Sequence, residues 1–524
     1  MAEMKCKAKT RKHPLLLLGL ISLAILLSLP AQLSEACAAS DKPIVLKIGN
    51  WEEYIDQGDW GDDEAIDLDS ETITSKNGLI SDFEDWYYDT YGKQVKVEYS
   101  TFGTNEDLYS KIILGETYDL VCPSEYMFSK LLKENMLQPL STDFFDTANQ
   151  YNYYAKGVSP YIKEIFNRNK IDGKTWSSYA AGYMWGTIGI VYNPEKVSEE
   201  DASTWSILAN PTYAKRVTIK DSARESYFPA LAILNKNLLL SKEFRSSADY
   251  SANLAKVLND TSPQTIEKAE DLLQEIRQNV YAFETDSGKS DMVTGKIVAN
   301  LQWSGDGVYA MDQAEEEGLS LNYSVPEECT NLWLDGWVML KSGIKGNPEK
   351  QKAAEAFINF ISRPDNVIRN MYYIGYTSSI SGGDDSLIYE YVKWNYESED
   401  ENDTIEYPMG YFFSGDNKDS RYTLTASADQ EKRQLFAQYP PKEIVDRSAV
   451  MGYFPDDINA KLNQMWINVR CFNFDQVPQA TWLKAFAMIC LALMLIFAFI
   501  YRYKIFRKPI KPGYLRATNG LKEK

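Results

Sequence analysis

The sequence predicts an α/β fold built in more than one domain, and two observations carry that reading. The chain has 524 residues, more than one hydrophobic core accommodates, so it should divide into two or more domains. Between Ile44 and Glu134, β-branched segments alternate with segments of helical periodicity, the pattern of βαβ units around a largely parallel sheet.

Taken in order, Ile44 to Ile48 is a strand by its β-branched content, and it runs into Gly49-Asn-Trp-Glu-Glu-Tyr54. The acidic stretch from Asp56 to Glu71 lacks the glycine and the spacing of a calcium loop, so a solvated loop is expected there. Leu79 to Tyr91 reads as helix, with Leu79, Ile80, Phe83, Trp86 and Tyr87 in register, and Gln94 to Tyr99 reads as strand. A helix around Asn105 to Leu114, the strand Tyr118 to Cys122, the break Pro123-Ser-Glu-Tyr126 and a helix from Met127 to Glu134 come next. In parallel sheets ligands sit beyond the carboxyl ends of strands, where Trp51, Tyr54, Ser124 and Tyr126 fall.

Met184 to Tyr192 is a buried apolar strand with two glycines, suited to a crossing between lobes. From Val217 a strand turns into a helix that runs on through Tyr227 to Leu238, with Glu225 in its first turn. There a dipole-matching role and a ligand-binding role both stand open. Ala353 to Ile361 is an amphipathic helix stopped near Pro364, and Gly382 to Pro408 is acidic and turn-rich, an exposed insertion. Helical runs near Pro441 to Arg447 and Asp456 to Val469 close the body.

The two ends read differently. Lys5 to Lys12 is basic, Leu15 to Leu29 is leucine-rich, and Ala36-Cys-Ala-Ala39 supplies small residues, the order of a secretory signal over residues 1–39. Cys37 also follows Ala36 as in a lipoprotein acylation site, although Ser34 and Glu35 depart from that pattern. Trp482 to Tyr503 is apolar apart from Lys484 and Arg502 and has Trp482, Tyr501 and Tyr503 at its edges, enough for a helix to cross about 30 Å of hydrocarbon. The basic tail 504–524 is then cytoplasmic, and the body, about 43 to 475, lies on the extracytoplasmic face of the membrane.

Composition excludes several classes of function. A net charge of −19 repels nucleic acid and draws in cations. His13 is the only histidine, which leaves the body without Ser-His-Asp or Cys-His catalysis, a histidine base or a His-ligated metal. Carboxylate-only chemistry remains open. The six cysteines, Cys6, Cys37, Cys122, Cys329, Cys471 and Cys490, form no CxxC, so no zinc or redox motif is indicated.

The stretch from Asn300 to Trp337 carries the chemistry. Two short apolar runs each deliver a Trp, Trp303 and Trp333, and then a carboxylate beside a glycine, Asp306 and Asp335. An indole face attracts a cation by about 0.5 to 2 kcal/mol, and a carboxylate fixes it by a charge-assisted hydrogen bond. The pattern suits a cation with an apolar body, although two core tryptophans and two turn aspartates would read the same way.

These motifs coincide with those of a known family. Asn50-Trp-Glu-Glu-Tyr54, Tyr118 to Tyr126, Asp221-Ser-Ala-Arg-Glu225, Trp303-Ser-Gly-Asp306, Trp333-Leu-Asp335 and Ile374-Gly-Tyr376 resemble, in order, the ligand motifs of bacterial spermidine/putrescine-binding proteins, the extracytoplasmic receptors of polyamine ABC importers. The resemblance spans roughly residues 45 to 470. It implies a two-lobed periplasmic-binding-protein type II fold with a two-strand hinge: lobe 1 from 45–186 and 335–384, lobe 2 from 190–333 and 388–475. The transmembrane helix over 482–503, read from the apolar run, and the acidic insertion after Tyr54 are not typical of that family. The resemblance implies aromatic walls from Trp51, Tyr54, Tyr126, Trp303, Trp333 and Tyr376, a hydrogen bond from Ser124, and ammonium partners in Glu225, Asp306 and Asp335.

Ser222 stands where spermidine receptors tend to have a second Asp, Asp306 matches the putrescine type, and Glu52 in place of Thr or Ser adds a carboxylate at the rim. The resemblance and the two chain ends together imply a membrane-tethered receptor for putrescine or spermidine, with no cofactor and no catalysis, delivering ligand to ABC permease subunits with a cytoplasmic ATPase. The rival readings are a polyamine-sensing receptor subunit and a carboxylate-only extracellular hydrolase using Asp306 and Asp335.

Overall fold

The computed structural model describes residues 42–61, 64–400, 402–471, 486 and 488–498. The main path of a 12-stranded sheet runs through β1 (Ile44–Trp51), β2 (Val95–Phe102), β3 (Leu120–Val121), β4 (Ala180–Tyr192), β5 (Val217–Lys220), β6 (Ala282–Glu284), β7 (Ala299–Trp303) and β8 (Thr330–Leu340). Their spatial order is β6-β5-β7-β4-β8-β3-β1-β2. β1 is parallel to β2 and β3, and β5 is parallel to β6 and β7. The centre departs from the expected parallel sheet, because β4 is antiparallel to β7 and β8, and β8 is antiparallel to β3.

Connectivity explains the mixture. Parallel neighbours need a crossover, and the first wing has them in α1 (Leu79–Tyr91), between β1 and β2, and α2 (Asn105–Ile113), between β2 and β3. β4 carries the chain out to the second wing and β8 carries it back, so the two run in opposite directions. Every residue of both is buried, and β4 starts at Ala180 rather than at the expected Met184.

Local sequence sets the helices that frame the sheet. α1 buries Leu79, Phe83 and Tyr87 on one face and ends at Gly92, whose φ of 66° a left-handed cap requires. Thr104 caps α2 by accepting the amide of Asp107 at 3.0 Å. After β3, α3 (Glu125–Lys133) starts at Ser124, and after β5, α4 (Ala223–Leu234) starts at Ser222. α5 (Gly288–Val293) follows β6 and α6 (Ser304–Glu316) follows β7. α7 (Pro348–Ile361) begins ahead of the expected Ala353, and Pro364 is the first residue of a further helix, α8 (Pro364–Ile374), where a missing N–H costs nothing.

Two expected loops are structured. Asp56 is fully buried and bonds the Arg369 guanidinium at 2.9 Å, while Ile66–Asp67 pairs with Thr72–Ile73. The solvated acidic loop therefore holds only in part, because its first carboxylate has a buried cation to meet. The segment 382–408 holds α9 (Leu387–Tyr396), which buries Leu387, Ile388, Tyr391 and Val392, and the strand Thr404–Pro408, paired with Thr423–Ser427. Its acidic residues hid an apolar helical face.

Among the described residues no helix is long and apolar enough to cross a membrane. Both ends of the expected span, Trp482 to Tyr503, lie outside them; residues 486 and 488–498 are helical and carry exposed Phe486, Met488, Leu495 and Phe497. The signal segment 1–39 and the tail 504–524 lie outside the described residues. Cys122, Cys329, Cys471 and Cys490 are unbridged.

Candidate functional site

A cavity of about 950 Å³ is lined from both wings of the sheet. All the residues singled out in the sequence lie on its wall: Trp51, Glu52, Tyr54, Ser124, Tyr126, Glu225, Trp303, Asp306, Trp333, Asp335 and Tyr376. Topology brings them there, since Trp51 ends β1, Ser124 and Tyr126 follow β3, Glu225 follows β5, and Trp303 ends β7. All of these are carboxyl ends of parallel strands.

Asp335 lies inside β8 rather than at a turn, at an irregularity in the β8–β4 register between Leu334 and Gly336. There its buried carboxylate accepts the Tyr54 hydroxyl on one oxygen and the Ser124 hydroxyl on the other, both at 2.8 Å. Burial pushes its pKa up to about 6, against the lowering by those two hydroxyls. No lysine or arginine stands within ion-pair distance of it among the described residues. Asp306, in the first turn of α6, accepts the Tyr376 hydroxyl at 2.9 Å.

The aromatic wall is one connected set. Tyr376 meets Tyr54 edge-on at 5.2 Å and Trp333 at 5.4 Å between ring centroids. Two glycines make room for it. A Cβ on Gly186 would come within 2.5 Å of the Trp333 ring, and one on Gly305 within 2.2 Å of the Tyr376 ring. Trp333 donates its indole N–H to the Thr187 carbonyl at 3.1 Å, so its polar edge is satisfied and its ring can face the cavity. Tyr126 accepts from Asn105 Nδ2 at 3.0 Å and donates to Glu106 at 3.2 Å.

Glu225 holds both of its expected positions, in the first turn of α4 and on the cavity wall. Ser222 caps that helix, and its hydroxyl bonds the Glu225 carboxylate. Burial, and then the negative charge of Glu106, push Glu225 up to about 7. Glu52 is exposed at the cavity edge.

Other residues at or beside the site were not singled out in the sequence. Glu125 is buried on the wall and accepts the amides of Leu334 and Met451; burial pushes it up to about 8. The Lys220 ammonium lies 4.3 Å from the Trp303 ring centroid and pairs with Glu284 at 3.2 Å, so Trp303 already carries one cation of the chain's own. Lys289 and Asp286 lie on the wall next to Asp306. Both follow the end of the parallel strand β6, and the rule that marks Trp51 would have marked them had β6 been recognised. Apart from Lys289, the charged groups of the wall are carboxylates: Glu52, Glu53, Glu125, Glu225, Asp286, Asp306 and Asp335. Aromatic ring faces beside carboxylates are chemically suited to a cation with an apolar body.

Comparison with known proteins agrees with that geometry. The sequence profile of a family described as bacterial extracellular solute-binding protein matches residues 79–387. The spermidine/putrescine-binding periplasmic protein of Salmonella typhimurium is 28% identical over 285 residues, 54% of this chain and 70% of the relative. That of Escherichia coli K12 is 26% identical over 347 residues, 66% of this chain and 80% of the relative. Among solved structures, a putative spermidine/putrescine ABC transporter protein from Listeria monocytogenes matches with a TM-score of 0.54 at 24% identity, covering 82% of this chain and 99% of that one. A spermidine/putrescine ABC transporter substrate-binding protein from Streptococcus pneumoniae matches with a TM-score of 0.52, also at 24% identity, covering 82% and 98%.

Proposed function

The chain belongs to the family of bacterial extracellular solute-binding proteins and has the α/β periplasmic-binding-protein fold, and from that premise we propose that it is a membrane-tethered polyamine receptor that binds putrescine or spermidine and passes it to an ABC permease. Its relatives are named as binding proteins for these amines, and it performs no covalent chemistry of its own.

The observation that carries the reading is the state of Asp335. Four other buried carboxylates meet a cation of the chain itself, Asp56 with Arg369, Asp119 with Lys350, Glu284 with Lys220 and Glu328 with Lys236, whereas Glu125 is held by the amides of Leu334 and Met451 and Glu355 by Ser141 and Gln351. Asp335 is as deeply placed but has only the hydroxyls of Tyr54 and Ser124. A buried charge without a counter-ion is costly, and a ligand ammonium beside it removes that cost. Glu225 serves the second amine, and Trp333, Tyr376 and Tyr54 cover the methylene chain, which contributes about 0.8 kcal/mol per CH₂ buried.

In this reading 45–186 with 335–384 forms one lobe, 190–333 with 388–475 forms the other, and β4 and β8 are the hinge pair that lets them close on the ligand. The sheet order supports it, because these two strands alone link the wings along its path. The tether is supported by the apolar run from Trp482 to Tyr503 and by the exposed apolar side chains of residues 488–498.

Calorimetric titration of the full chain in detergent with putrescine, spermidine and spermine tests the proposal. Saturable binding of at least one amine is expected. Binding of none, or turnover of an added glycan, overturns it.

A further inference from the structure

Lys289 stands inside a wall of carboxylates and is the one lysine, arginine or histidine on that wall among the described residues. Its ammonium lies 2.7 Å from Asp286 Oδ1, three positions earlier, and 3.6 Å from Asp306 Oδ1, the oxygen that also accepts the Tyr376 hydroxyl. The Tyr309 ring centroid is 5.1 Å away. The lysine side chain is 20% exposed, whereas that of Asp286 is 78% exposed and that of Asp306 is 14% exposed. The ammonium is therefore directed into the site and held there from two sides.

We infer that Lys289 is a specificity residue: a built-in ammonium that neutralises Asp306 and so restricts the cavity to diamines over triamines. The inference rests on the polyamine reading of the same site. Of the wall carboxylates without an ion-pair partner among the described residues, Glu52 and Glu53 are exposed and Glu125 is occupied by the amides of Leu334 and Met451, which leaves Asp335 and Glu225 for two ligand amines. A third ligand amine reaching for Asp306 meets a like charge already on that carboxylate, and like charges at such a distance repel. Burial works against the charge on Lys289, but Asp306 and Asp286 outweigh it and raise its pKa, so the lysine stays cationic wherever polyamines are cationic.

The test is calorimetric titration of the full chain in detergent with putrescine and with spermidine, for the native protein and for K289M and K289R. K289M should shift the ratio of affinities towards spermidine by about tenfold or more, and K289R, which keeps the charge, should leave the ratio within about twofold of native. An unchanged ratio in K289M overturns the inference. So does an equal gain for both amines, which would make Lys289 a competitor of any ligand, or a K289R that behaves like K289M. If K289M does not fold, D286N reads the same question from an exposed position: it leaves Lys289 wholly to Asp306 and should widen the preference for putrescine, and a narrowed or unchanged preference overturns the inference. Folded native and variant proteins that bind neither amine would sink the polyamine reading itself, and this inference with it; putrescine binding with an unmoved ratio would sink only the role of Lys289.

Discussion

Ser124 donates its hydroxyl to Asp335 at 2.8 Å across 211 positions of sequence, and so ties a carboxylate of β8 to the start of α3. A serine at that position ordinarily caps its own helix, but Ser124 makes no side-chain cap. Its Oγ accepts from Asn105 instead, at 3.2 Å, and its proton goes to Asp335. Both groups are thus committed to the cavity rather than to local structure.

Asp335→Asn keeps the shape of this arrangement and removes its charge. A ligand ammonium would then be buried without its partner, and binding should weaken by about 2 to 5 kcal/mol. Ligand at about 100 times its dissociation constant should stabilise the native protein by about 2.7 kcal/mol. The variant at that same concentration should melt near the unliganded native protein, as a thermal scan would read. An undiminished ligand-induced shift in the variant removes Asp335 from the site.

The buried carboxylates also fix the direction of the pH dependence. Asp335 at about 6 and Glu225 at about 7 lie above ordinary carboxylate values of about 4, so these two groups hold more protons in the folded, unliganded protein than in the unfolded chain between about pH 4 and 7. These two groups therefore make stability fall as pH rises through that window. Binding should do the opposite: an ammonium needs both carboxylates ionised, so affinity should weaken as pH falls from about 7 to 5, and binding should release protons there. Titrations in buffers of different ionisation enthalpy check this. Affinity that is flat over the window would mean that neither carboxylate faces the ligand.

The sequence made some of this legible and hid the rest, for physical reasons that differ residue by residue. Trp51 and Ser124 were readable because strand periodicity marks where a parallel strand ends, and Trp303 because an apolar run delivers it just ahead of Asp306; the structure puts each of them at the end of a parallel strand. Asp335 was readable as a residue but not as a position: beside Gly336 it resembles a turn, whereas the chain continues as strand through a register shift. Asp56 was hidden because its partner Arg369 is 313 positions away, and no local pattern reports that pairing. The Lys220 ammonium over Trp303 and the Lys289 ammonium beside Asp306 are likewise tertiary facts. α9 was missed because the acidic turn residues around it outweighed Leu387, Ile388, Tyr391 and Val392.

Gly305→Ala should damage the site through Tyr376. An added Cβ would lie 2.2 Å from that ring, which Tyr54 and Trp333 already pack at 5.2 and 5.4 Å. The ring must therefore shift and loosen its 2.9 Å bond to Asp306. Overpacking of this kind costs about 1 to 3 kcal/mol of stability, and ligand affinity should fall with it. Tyr376→Phe is the comparison, because it keeps the ring and loses one hydrogen bond, worth about 1 kcal/mol. Melting curves and titrations of both variants check the argument, and native affinity in Gly305→Ala would show that the ring position is immaterial to binding.

The tether can be tested apart from the ligand. Residues 488–498 are helical with apolar side chains such as Leu491, Leu495 and Ile496 exposed, and apolar surface of that extent is unfavourable in water. The wider run 482–503 would measure about 33 Å as a helix, a match to about 30 Å of hydrocarbon. With such a tether, the basic side chains after Arg502 would put the tail on the cytoplasmic side by the positive-inside rule. The full chain should fractionate with membranes, and protease added to intact cells should release a large soluble fragment while the tail stays protected. Deleting residues 482–524 should free the protein from the membrane; if it stays bound, the same deletion combined with Cys37→Ser separates a lipid on Cys37 from a retained N-terminal segment. A full chain found in the soluble fraction, or a body that resists protease while the tail is digested, would overturn the proposed anchor or its orientation.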